Sequence, residues 1–119
     1  MSYDIQLYRI ETKEREKKAG DENFFDSEEN LEPFTEEQYN YLQDRLLKYD
    51  YVLKEKEKKD LTFAHPEHNI FALLTDRGLY FTSGFDDESI FEARMTASEF
   101  TDTDEFSKYD PQNAGWEEF

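Results

Sequence analysis

The chain contains no cysteine, so disulfides, thiolate nucleophiles and cysteine-held zinc are excluded. Glycine is scarce: the four residues are Gly20, Gly78, Gly84 and Gly115. None of them builds the glycine-rich loop that cradles a phosphate. No apolar run approaches the ~18 residues of a membrane span. The opening "MSYDIQLYRIETKE" is charged too early for a signal peptide, so the cytoplasm is the expected compartment. Positive charge is also short. Fourteen Lys and Arg face thirty Asp and Glu, a formal charge of −16. Such a field repels nucleic acid and anionic membranes and attracts basic partners.

What the chain has instead is aromatic mass. Eleven Phe, eight Tyr and one Trp make up 17% of 119 residues. Each aromatic ring buries roughly 150–250 Å². A core is therefore within reach although only 36% of the residues are hydrophobic. The length fits one domain over residues 1–119.

"SYDIQLYRI" alternates and reads as a strand. Residues 11–34 read as an acidic, polar loop. A helix start follows, with Thr35 as N-cap and Gln38 completing a capping box. Glu36 and Glu37 sit in the first turn, where the helix dipole favours negative charge. Tyr39, Leu42, Leu46 and Tyr49 then share one helical face. "YVLKEKE", "LTFAH", "IFALLT" and "LYFTSG" read as four strands of an antiparallel meander over residues 51–84. "IFALLT" is continuously apolar, the pattern of a strand buried on both faces. "DRG" at residues 76–78 reads as a hairpin turn with Gly78 free to take positive φ. Residues 86–100 fit either a strand or a helix; Asp86 as a cap and the helix-forming composition favour the helix. Residues 101–119 read as an irregular acidic tail. The expected fold is α+β: an antiparallel sheet of about four strands with one or two helices packed on one face.

Four stretches or residue sets bear on chemistry. "HPEH" sets His65 and His68 three apart beside Glu67, but the proline makes a turn and no third ligand is adjacent. "DTDEF" opens like a calcium loop, yet the required glycine and glutamate are missing. None of the six serines lies in a nucleophile elbow. Paired carboxylates mean little among thirty without a pocket. The reading is a non-enzyme with no metal and no cofactor. The alternative is a carboxylate-based or metal-dependent hydrolase using His65 or His68.

"DENFFDSEENLEPFTEE", residues 21–37, carries eight carboxylates, no Lys or Arg, and Phe24, Phe25, Leu31 and Phe34. Interfaces take energy from aromatic anchors and partner choice from complementary charge. The expected partner-binding residues are Asp21, Glu22, Phe24, Phe25, Asp26, Glu28 and Glu29. The bland counterpart is a loop whose phenylalanines tuck into the domain. A second acidic surface comprises Asp86, Asp87, Glu88, Asp102, Asp104 and Glu105. Both point to a basic protein partner, with no role for nucleic acid or membrane. The sequence does not set the oligomeric state.

The opening "MSYDIQLY" and the ending "EFSKYDPQNAGWEEF" resemble small bacterial proteins, and the whole is similar to immunity proteins of polymorphic and contact-dependent toxin systems. The resemblance covers about a fifth of the chain and carries no site residue with it. It implies an inhibitor that blocks the basic cleft of a toxin, most simply a nuclease, by electrostatic and steric occlusion. A DNA-mimic inhibitor is the further alternative.

Overall fold

The computed structural model describes residues 3–21, 23–111 and 115–116. Strand β1 (Tyr3–Arg9) runs directly into helix α1 (Ile10–Ala19), and two short 3-10 turns follow at Phe24–Asp26 and Glu28–Asn30. Helix α2 (Glu36–Lys48) leads into β2 (Val52–Glu57), β3 (Asp60–Ala64), β4 (Ile70–Leu74) and β5 (Leu79–Ser83). Helix α3 (Asp87–Glu99), β6 (Phe106–Asp110) and β7 (Gly115–Trp116) complete the order. The fold is α+β with one antiparallel sheet, ordered β2-β3-β4-β5-β1-β6-β7.

Among the described residues the sheet has seven strands rather than about four, and the fold has three α-helices rather than one or two. The differences have physical causes. Residues 10–19 lack an apolar stripe, so periodicity does not mark them. They are nevertheless strong helix formers. Glu11 and Arg15, and Glu14 and Lys18, stand four apart in the favourable order. Gly20 closes α1 in the left-handed conformation at φ 58°, its N–H donating to the Glu16 carbonyl. The described part of the tail contains strands: β6 pairs with the far side of β1, Gln6 opposite Tyr109 and Arg9 opposite Phe106. Its inward row is Phe106, Lys108 and Asp110. Two ionisable groups in that row erase the usual apolar alternation. Lys108 donates to Ser98 Oγ at 2.9 Å, and Tyr3 donates to Asp110 at 2.8 Å.

The inner face of the sheet carries Ile5, Leu7, Leu61, Phe63, Ile70, Ala72, Leu74, Leu79 and Phe81, all buried. Leu42 and Leu46 of α2, and Ala93 and Ala97 of α3, cover it together with Phe100. The small alanines let α3 settle close to the strands. Thr35 and Gln38 form the expected capping box, with reciprocal bonds of 3.1 and 3.0 Å. Asp86 caps α3 by accepting from the Ser89 N–H, and hydrogen bonding from the Ser89 side chain and backbone holds its carboxyl below the usual range. Replacing Thr35 with Ala is expected to cost about 1 kcal/mol. A lowered urea midpoint at unchanged slope would show it.

Gly78 does not take positive φ. Among the described residues that conformation falls on Gly20, Gly115, Asp50, Lys58 and Asp104. Glycine suits position 78 because the Tyr80 ring packs over it: an added Cβ would meet the Tyr80 hydroxyl at 2.7 Å.

Candidate protein-binding surface

Residues 23–31 lie on the second face of the sheet, opposite α2 and α3. Phe24 is 3% exposed and Leu31 4%, buried with Tyr8. Phe25 is half-buried, stacked on Tyr8 at 5.2 Å and tilted against Tyr109 at 4.8 Å. Tyr80 and Trp116 complete this aromatic cluster. The two phenylalanines therefore do not stand out as anchors; they plug the half of the face formed by β1, β5, β6 and β7. Burial pushes the Tyr8 hydroxyl far up, so it stays protonated.

Cations hold the segment chiefly by its backbone, with the Glu32 carboxylate also paired to Arg15 at 3.4 Å. Arg77 donates to the carbonyls of Glu28 and Leu31 at 3.0 and 2.7 Å. Arg15 donates to the Glu29 carbonyl, and Arg9 to that of Pro33. Thr12 accepts from the Glu32 N–H at 2.8 Å. Asp21, Asp26, Glu28 and Glu29 are left exposed. The stretch thus sorts its two residue types, rings inward and charges outward. Glu22 lies outside the described residues.

The other acidic residues fall into two separate places. Asp86, Asp87 and Glu88 surround the start of α3, and Asp102, Asp104 and Glu105 follow its end. A helix of thirteen residues separates them by about 20 Å. All six are exposed. Asp102 is claimed by Arg45, whose guanidinium bonds both its oxygens at 2.9 and 3.0 Å. The same guanidinium bonds the hydroxyls of Tyr41 and Tyr49 and lies 4.8 Å from the Phe100 ring centre. Partial burial pulls the Arg45 pKa down, but the bonds to Tyr41, Tyr49 and Asp102 outweigh it and raise the net value. Glu105 accepts from Gln38 at 3.2 Å.

His65 builds a turn. Its Nδ1 accepts the backbone N–H groups of Glu67 and His68 at 3.1 and 3.2 Å. Its ring meets Tyr51 edge-on at 5.0 Å. The hollow beside it, about 350 Å³, is lined by Lys48, Tyr49, Asp50, His65, Glu67, His68 and Glu92. Among the described residues no three His, Cys, Asp or Glu side chains converge in a metal-binding arrangement. A groove of about 420 Å³ at the start of α2 is lined by Phe34, Thr35, Glu36, Tyr39, Asn40, Lys59 and Asp76. It pairs no nucleophile with a base.

The feature that sequence reasoning missed is the rest of the second face. Among the described residues nothing covers β2, β3 and β4 there. "IFALL" is not buried on both sides: its burial alternates, with Phe71 51% and Leu73 37% exposed. Val52 is 43% exposed. Val52 stands opposite Ala64, and Ala64 opposite Phe71, which makes one apolar row across three strands. Leu73 lies in the next row, opposite Thr62. A continuously apolar strand was the available signal. It marks a face built to be covered without saying by what.

No family model matches the chain, and no curated protein or solved structure matches it either. Among the described residues no helix is long and apolar enough to cross a membrane.

Proposed function

We propose that this protein captures and neutralises a basic protein, in the manner of an immunity protein that occludes the cleft of a toxin domain, most simply a nuclease. The supporting observation is where the charge sits. Of the carboxylates among the described residues, Asp110 is the buried one, while those of residues 21–29 point outward from a plug held by its backbone. A surplus of this size destabilises the compact chain by self-repulsion, and a cationic surface relieves it. Toxins that cut nucleic acid bind phosphates with cations, so an acidic plug competes for the same groups.

The test has two stages. The tagged protein is used to capture partners from a lysate of its own host at low and high salt. One basic protein should be retained at low salt and released at high salt. That protein, expressed alone, should arrest growth, and co-expression of this chain should restore it. Reversing Asp21, Asp26, Glu28 and Glu29 to Lys should slow association at least tenfold. A captured protein that is harmless alone, or capture and rescue indifferent to charge reversal, would reject the proposal. Capture of a non-toxic nucleic-acid enzyme would favour the DNA-mimic reading instead.

A further inference from the structure

Among the described residues, the second face of the sheet is covered on one half and bare on the other. The covered half is sealed by Phe24, Phe25 and Trp116 over Tyr8, Tyr80 and Tyr109. The bare half presents Val52, Ala64, Phe71 and Leu73, with Thr62 and Thr82 beside them. Exposed apolar rows of this kind mark interaction surfaces.

Charge at the border of that face depends on a bulge. The ladder between β2 and β3 slips at Lys54: Leu53 opposes Phe63, but Glu55 opposes Thr62 and Glu57 opposes Asp60. Directly opposed residues point to the same side of a sheet. Without the slip, Lys54 and Lys56 would share the side of Val52. With it, Glu55 and Glu57 take that side. Glu57 and Asp60 then face each other with like charge, a destabilising pair. Neither they nor Glu55 form an ion pair with a described cation. Glu28 of the plug is held at the turn between β4 and β5, where Arg77 donates to its carbonyl at 3.0 Å. Burial raises the Tyr80 pKa most, and the charges of Glu28, Asp76 and Asp60 add to it.

The shape selects the occupant. Three strands spaced ~4.8 Å apart give a strip about 10 Å wide, the diameter of one helix. α2 and α3 cover the inner face in the same fashion. An added strand is disfavoured, because the free edge β2 is bulged and carries Lys54 and Lys56. A second copy would bring acid against acid.

We propose that the open face of β2, β3 and β4 is the berth for one amphipathic basic helix of the partner, its apolar side on Val52, Ala64, Phe71 and Leu73 and its cations against Glu55, Glu57 and Asp60. This rests on the binding-module reading and names its docking surface.

The experiment is an amide NMR titration of the whole protein with two synthetic helical peptides. One has leucines on one face and lysines on the other. Its control keeps the lysines and replaces the leucines with serines. The first should saturate, with shifts centred on β3 and β4. The double variant Phe71→Ser with Leu73→Ser should weaken it at least tenfold; both residues are exposed, and an unchanged amide spectrum elsewhere verifies the fold. Adding Glu57→Lys with Asp60→Lys to the wild-type chain should weaken it further at low salt than at high. A footprint centred on Phe91 and Met95 of α3, or on residues 21–31, would overturn the berth while leaving the binding-module reading standing. So would equal binding by the double serine variant. Absence of salt-sensitive binding by either peptide would overturn both.

Discussion

Replacing Phe24 with Ala is expected to remove about 3–4 kcal/mol of stability, as is usual for emptying a buried phenylalanine site. That is a large part of the ~5–15 kcal/mol available to a domain. Phe24 is 3% exposed and meets Phe25 edge-on at 5.3 Å. Phe25 in turn stacks on Tyr8. Loss of the first ring therefore loosens the second and opens the Tyr8 side of the sheet to water. The carbonyl of Phe24 accepts from Asn30 at 2.9 Å, so the turn at residues 28–30 loosens as well. Phe25→Ala, at a half-buried site, should cost about half as much. Urea unfolding measures both. If the two rings were exposed anchors, either substitution would leave the midpoint in place and reduce partner capture. The structure predicts the reverse order: unfolding first, with capture lost only as the plug detaches. A Phe24→Ala midpoint within error of the wild type would reject the plug.

This separation of rings from charges was only half legible in the sequence. Residues 21–37 announce that phenylalanines and carboxylates must be reconciled. They do not say that Arg9 and Arg15, before the segment, and Arg77, far beyond it, hold the segment by its carbonyls. The locally written elements were readable. Thr35 and Gln38 specify the start of α2, Asp86 that of α3, and turn residues divide the meander of β2 to β5. What stayed hidden depends on partners far along the chain or on ladder geometry. β6 conceals itself because Lys108 and Asp110 occupy inward positions, where Ser98 and Tyr3 are among the groups that satisfy them. The bulge at Lys54 exchanges lysines for glutamates on the open face, and no periodicity argument shows a one-residue slip. The apolar run 70–74 was visible, but an apolar strand looks the same whether its second face is covered by the fold or left for a partner.

Arg45 carries the other large expected effect. Arg45→Ala should cost about 3 kcal/mol, and Arg45→Lys about 2 kcal/mol, because the lysine keeps the charge and loses the fork. The ion pair with Asp102 is the smaller part. Asp102 is 57% exposed, and such pairs contribute at most ~1 kcal/mol. The larger part is geometric. One planar group bonds Tyr41 and Tyr49 and lies against Phe100, at 4.8 Å from its ring centre, and each such bond or ring contact contributes about 1 kcal/mol. Tyr49 also bonds Glu99, so the guanidinium ties α2 to the end of α3 and to the acidic turn that follows. Salt separates the two parts. High salt screens the ion pair but leaves the ring contacts, so most of the Arg45→Lys loss should persist there. Hydrogen exchange should rise at residues 99–105 before it rises in the sheet. A lysine variant as stable as the wild type would mean that charge alone holds this corner. Asp102, Asp104 and Glu105 would then be a loosely held surface.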